Sequence, residues 1–135
     1  MAGYSGTPLP KKLGLEPPLV LVAVGAPEDY PAWLGKLPDG VRIVSKPGKT
    51  VQAAHVFVTK RTALEKALVA FRKQLGQNGF VWVSWPKKAS KVETDITEDT
   101  IRQVALPLGF VDIKVCAVND VWSGLKLVIR KSKRT

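Results

Sequence analysis

The side chains able to do chemistry sit in a few short stretches of this chain. In WPKKAS (Trp85–Ser90) an aromatic ring stands next to the paired ammonium groups of Lys87 and Lys88. A ring that stacks and lysines that act as point charges suit a base, a nucleotide or a phosphorylated ligand. Ser90, and Asp95 in the following TDITE (Thr94–Glu98), add hydrogen-bonding groups. Asp95 and Glu98 are also the carboxylates that would serve as general base if the chain is an enzyme. Lys11 and Lys12 in SGTPLPKKLG (Ser5–Gly14) bring two further charges, and Gly25 opens GAPEDY (Gly25–Tyr30), where a ligand can approach bare backbone. A second reading stands beside this one: Trp85 is core, Pro86 ends a strand, and Lys87 and Lys88 pair with Asp95, Glu98 or Asp99.

Other chemistries are excluded by what is missing. The chain has one Cys, Cys116, and one His, His55. No intrachain disulfide and no Cys/His zinc cluster can form, so no metal is expected. No cofactor is expected either, on the separate ground of the turn after the first strand, which has one glycine. A Ser or Cys hydrolase would have to use His55, and nothing near it marks a nucleophile elbow. His55 is read as the polar start of an apolar strand and Cys116 as a small core residue. KPGKT (Lys46–Thr50) imitates a phosphate loop, but that motif needs a glycine where Ile43 stands, and it precedes a helix rather than a strand.

The charge balance points outward. Lys and Arg number 21 against 11 Asp and Glu, a net charge of +10. Such a surplus favours acidic partners, nucleic acid among them, and it also serves solubility alone. MAGYSGTPLPKKLG lacks the apolar core of a signal peptide, and the apolar run Leu19–Val24 is far short of the ~18 residues that span a bilayer. The protein is therefore expected in the cytoplasm, without a membrane partner.

These residues need a scaffold, and the periodicity supplies one. At 135 residues the chain suits a single domain, with an N-terminal arm over residues 1–18 and a basic tail over 131–135. A short helix starts at Pro8, capped by Thr7 and ended by Gly14, with Leu9 and Leu13 inward. LVLVAV (Leu19–Val24) is apolar on both faces, as in the centre of a parallel sheet. One short helix is expected in EDYPAWLGKL. Strands follow at Val41–Ser45 and Ala54–Thr59. A helix over Thr62–Leu75 carries a T-x-x-E capping pattern and an inward row of Leu64, Leu68, Phe71 and Leu75. Phe80–Ser84 is the fourth strand. A helix capped by Thr97 buries Ile101, Val104, Ala105 and Leu108, and Pro107 and Gly109 close it. Val111–Val118 and Gly124–Arg130, joined by a linker too short for a crossover, form an antiparallel hairpin.

Strands alternating with helices imply a three-layer, Rossmann-like α/β fold, with a mixed, mostly parallel sheet of about six strands ending in that hairpin. The order resembles a reduced S-adenosylmethionine-dependent methyltransferase: KLGLEPPLVLVAVGAP looks like its opening, and LEKALVAFRKQLGQNGFVWVSWP like the stretch leading into its fifth strand. The cofactor features depart from that pattern. The turn after the first strand has one glycine, Pro27 removes a donor, and Val44-Ser45-Lys46 stands where an acidic residue would hold a ribose. SGTPLPKKLG, GAPEDY, WPKKAS, TDITE and VDIKVCAVNDVWSGLKLV together resemble a family of small bacterial proteins classed as a domain of unknown function. That resemblance implies no activity.

The strand order expected places GAPEDY and WPKKAS on neighbouring strands at one rim of the sheet. The N-terminal helix would bring Lys11 and Lys12 to that rim. The leading expectation is a non-catalytic module that binds an anionic ligand, either a phosphorylated small molecule or nucleic acid. A divergent transferase, with its methyl donor near Gly25, and a protein–protein adaptor using exposed tryptophans are the alternatives. Trp122, expected in the hairpin turn, fits either a core plug or an exposed contact.

Overall fold

The computed structural model describes residues 7–134. Ser5, Gly6 and Thr135, which belong to the SGTPLPKKLG stretch and the basic tail, lie outside them.

Six strands form one sheet: β1 (Leu19–Val24), β2 (Val41–Val44), β3 (Val51–Phe57), β4 (Leu75–Pro86), β5 (Phe110–Ala117) and β6 (Trp122–Ile129), in the order β2-β1-β3-β4-β6-β5. β1 to β4 pair in parallel, and β6 is antiparallel to both β4 and β5. The expected mixed sheet with a closing hairpin is therefore present. One expected adjacency is not: β3 lies between β1 and β4. The chain passes outward from β1 to β2 and then returns to the other side of β1, a reversal that consecutive strand numbering does not reveal.

Helices cover both faces. α1 (Leu9–Leu13) and α2 (Tyr30–Leu34) pack on one face with Leu21, Ala53, Phe57 and Trp82. α3 (Arg61–Gln74) and α4 (Glu98–Ala105) pack on the other with Ala54, Val56, Val81, Val83 and Leu125. Each strand thus divides its side chains by the two-residue period, and Trp82 and Trp85 go to opposite cores. Leu64, Leu68 and Phe71 of α3, and Ile101, Val104 and Ala105 of α4, are buried as their spacing requires.

The ends of the elements differ from expectation where a distant group takes over a local role. α1 has Pro8 rather than Thr7 at its N-cap, with no side-chain bond, and Gly14 ends it at φ 71°. α3 does not use the Thr62/Glu65 box. Its N-cap is Lys60, and the Arg61 N–H donates to Asp95 Oδ1 at 2.7 Å. α4 does start from Thr97, whose hydroxyl exchanges hydrogen bonds with Thr100. β3 begins three residues earlier than expected. There the Gln52 side chain accepts from Val20 N–H and donates to the Pro18 carbonyl, tying the start of β3 to β1. β4 likewise begins at Leu75 and bulges through Gly76–Gly79 before regular pairing resumes at Phe80.

Candidate functional site at the carboxyl rim

β5 runs in the same direction as β1 to β4, because both it and β4 are antiparallel to β6. The carboxyl ends of five strands thus make one rim. The order reverses between β1 and β3, and the crevice outside such a reversal is where open α/β sheets bind ligands. GAPEDY leaves β1 here and WPKKAS leaves β4. The β5–β6 turn meets WPKKAS through Lys87 N–H donating to the Val121 carbonyl at 2.7 Å.

On the α1/α2 side the rim is closed by aromatic rings. Tyr30 lies edge-on to Phe57 with centroids 5.1 Å apart, and Phe57 edge-on to Trp122 at 5.2 Å. Trp122 is half-buried at the start of β6 rather than in the turn, so packing is its role. Beneath these rings runs a buried polar chain. Tyr30 Oη lies 2.7 Å from His55 Nδ1, and His55 Nε2 lies 2.7 Å from Ser84 Oγ. His55 does not open its strand, as the sequence suggested. It sits in the middle of β3, fully buried, and desolvation lowers its pKa to about 3. The imidazole is neutral at ordinary pH. Burial also pushes the Tyr30 hydroxyl upward. Both ring nitrogens are occupied by partners that no solvent reaches, so the chain holds α2 to β3 and β4 and presents nothing to a substrate.

The same side tests the methyl donor that this fold type implies. Gly25 has φ 68°, and a Cβ there would sit 2.8 Å from the Phe57 carbonyl oxygen. The glycine therefore serves the close approach of β1 to β3. Pro27 follows it, and β2 runs out into Ser45 and Lys46, with no carboxylate for a ribose. These residues do not fit an adenosyl-type donor.

On the α3/α4 side the rim is open. A groove of about 520 Å³ runs beyond the end of β4. Its apolar wall is Trp85, Pro86, Val92 and Ile96, and its charged edge is Lys88, Lys91, Glu93 and Glu98. Trp85 is only 7% exposed and packs in the main core. Nearly all of the side chain therefore belongs to the core, and only a small part of it borders the groove. The carboxylates expected to neutralise the lysines are engaged elsewhere. Glu98 bonds Arg102, as do Asp99 at 3.0 Å and Asp112 at 3.1 Å. These bonds, Glu98 first, hold the Arg102 proton still more firmly. Asp95 caps α3. Among the described residues, Lys87, Lys88 and Lys91 have no ion-pair partner.

The residues singled out in the sequence thus separate. Trp85, Lys88 and Glu98 share the groove, with Lys87 beside it. Ser90 is turned into its own loop, donating to the Lys87 carbonyl at 2.6 Å and accepting from Val92 N–H at 3.3 Å. Gly25 is on the other side of the rim. Lys12 reaches the rim, donating to the Ala117 carbonyl at 2.9 Å. Lys11 points to a different groove, with Glu16, Lys36 and Pro38, because successive helical residues diverge by about 100°. Lys91 and Val92 also line this groove, as does Thr97, which the sequence marks only as a helix cap. Their signal was proximity to WPKKAS. Tyr30 and Ser84 gave none, since their partner His55 is far away in sequence.

Among the described residues no three His, Cys, Asp or Glu side chains are grouped to hold a metal, and no helix is long and apolar enough to cross a membrane.

No protein-family model matches the sequence, and no curated protein matches it. Solved structures do match in fold. A putative type 11 methyltransferase from Sulfolobus solfataricus superposes with a TM-score of 0.65 at 14% identity, over 94% of this chain and 92% of the other. A SAM-dependent methyltransferase from Aquifex aeolicus gives 0.61 at 14% identity, over 88% and 86%. The ribosomal protein L11 methylase of Lactobacillus delbrueckii subsp. bulgaricus gives 0.56 at 12% identity, over 88% and 74%. The order of the sheet, the helices on its two faces and the closing hairpin are those of a Rossmann-like, methyltransferase-like fold.

Proposed function

We propose that this protein binds an anionic ligand at the carboxyl rim of a methyltransferase-like fold, without itself performing transfer chemistry. The observation that carries the reading is the set of lysines at the strand ends. β2 runs out into Lys46, β3 into Lys60 and β4 into Lys87 and Lys88, while Asp95, Glu98 and Asp99 are committed to α3 and Arg102. Ammonium groups without an ion-pair partner, beside an apolar wall, suit a phosphorylated small molecule or nucleic acid. The test is retention on heparin and binding of single-stranded nucleic acid across a salt series. Affinity should fall steeply as salt rises, because each phosphate contact releases counterions. It should fall again in the Lys87→Ala/Lys88→Ala variant. Elution with a neutral control would overturn the reading.

The second reading is a divergent transferase, with the donor beside Gly25 and Asp95 or Glu98 as base. Fold likeness to methyltransferases favours it over the first; the occupied carboxylates and the crowded turn at Gly25 weigh against it. Titration calorimetry with S-adenosylmethionine separates the two. Low-micromolar binding would sink the first reading and favour the transferase.

A further inference from the structure

A second cluster of cations lies on the opposite face of the sheet, away from the groove. Lys114 of β5 and Lys126 of β6 are direct cross-strand partners, so their side chains leave the same face side by side. That face is the α1 side, because Lys126 pairs in turn with Trp82, whose Nε1 donates to the Leu13 carbonyl at 2.9 Å. Lys126 Nζ stands over the Phe80 ring, 4.3 Å from its centroid. A Cβ on Gly14 would come within 3.2 Å of that nitrogen, so the glycine that ends α1 leaves it room. Lys114 is exposed, and Lys126 and Cys116 are half-buried.

Like charges placed directly opposite on two strands repel. Each lysine is also free to be neutralised: among the described residues neither has an ion-pair partner within 4.0 Å. The strain registers on the groups themselves. Lys126 is pushed below its ordinary pKa by desolvation first and by Lys114 second, with Glu16 opposing. The Cys116 thiol, raised by burial, lies in the field of both Lys12 and Lys114. The Phe80 ring offsets part of this cost, since an aromatic face attracts a cation, but two ammonium groups on one face, one of them half-buried, remain less favourable alone than with an anion beside them.

We propose that Lys114 and Lys126 form an anion site on the α1 side of the β5–β6 hairpin that takes the dianionic phosphate group of a phosphomonoester. Two ammonium groups carried on one face by adjacent strands match a dianion, whose phosphate oxygens can accept from both at once. Lys12, anchored on the Ala117 carbonyl, borders the site. Nothing in the site depends on the WPKKAS groove.

Titration calorimetry of the full chain with inorganic phosphate, at constant ionic strength in chloride, tests it. Saturable binding is expected. Lys114→Gln and Lys126→Gln should each weaken it about tenfold or more, the loss of one charge-assisted hydrogen bond. Lys87→Ala/Lys88→Ala should leave it unchanged, so failure here is separate from failure of the rim reading. A short single-stranded oligonucleotide without a terminal phosphate is the second arm. If the Gln variants lose the oligonucleotide and keep phosphate, the lysines serve a polyanion surface and the proposal falls. It also falls if no saturable phosphate heat appears. Lys114→Glu gives a readout independent of ligand. It turns the repelling pair into an attracting one, so the thermal midpoint without phosphate should rise while phosphate binding disappears. An unchanged or lowered midpoint would mean that the two ammonium groups do not act on one another, which overturns the site.

Discussion

On the α1/α2 side of β3 and β4 the polar side chains point inward and each finds a partner: Tyr30, His55 and Ser84 hydrogen-bond in series beneath a cap of aromatic rings. On the α3/α4 side, beyond Trp85, Lys88 and Lys91 line a groove with Glu93, while Asp95, Glu98 and Asp99 are bonded to other groups. The two regions are separated by one layer of sheet and begin from the same strands. A buried polar group is costly unless it is satisfied, so the first region is complete as it stands. An exposed charge carries no such penalty and keeps its capacity for a partner. The polar chain on the closed side has no group left to offer, whereas the groove on the open side, built over the larger core, keeps the freedom that a binding surface needs.

The comparison breaks most readily at Trp85, which faces the core and edges the groove. Trp85→Ala should cost about 3–5 kcal/mol, the range for emptying a large buried aromatic site. Denaturant unfolding measures it. A loss below about 1 kcal/mol would place Trp85 with the open side, as a surface for ligand.

The buried histidine sharpens the contrast through pH. The unfolded chain protonates His55 below about pH 6.5, whereas the folded protein resists until about pH 3. Unfolding therefore takes up a proton in that window, and stability is lost as pH falls. The expected slope is about 1.4 kcal/mol per pH unit, or about 2 kcal/mol between pH 6.5 and 5, above the range where most carboxylates titrate. Urea unfolding at these two pH values tests it, with His55→Gln as the control that lacks the slope. A flat profile in the unsubstituted protein would mean that water reaches the imidazole.

Asp95 tests the open side from its scaffold, because it caps α3. Asp95→Ala should remove about 1 kcal/mol by exposing the α3 terminus, and Asp95→Asn should restore most of it, since the amide oxygen still accepts from Arg61 N–H. If Asp95 were a general base, the Asn variant would be as inactive as the Ala variant.

The smallest effect on stability belongs to the open side. Lys87→Ala/Lys88→Ala should shift unfolding by no more than about 0.5 kcal/mol, while weakening heparin retention. A larger loss would show these lysines to be part of the scaffold.

Much of this was legible in the sequence. The apolar periods of Leu64, Leu68 and Phe71 and of Ile101, Val104 and Ala105 announce two helices, and Thr97 announces the start of the second. The run Leu19–Val24 announces a central strand, and the short link after Val118 announces a hairpin. These signals are local, because side-chain period, caps and turns act within a few residues. The order of strands is not local. That β3 separates β1 from β4, that Asp95 caps a helix starting 34 residues earlier, and that His55 joins Tyr30 to Ser84 depend on which segments meet after the chain has folded back. So does the cross-strand pair of Lys114 and Lys126, set by register across a hairpin. Composition determined that the protein carries excess positive charge, and pattern determined that it folds as an α/β sheet. Only the tertiary structure decided which charges are neutralised, because Coulomb and hydrogen-bond energies depend on distances that close between residues far apart in sequence.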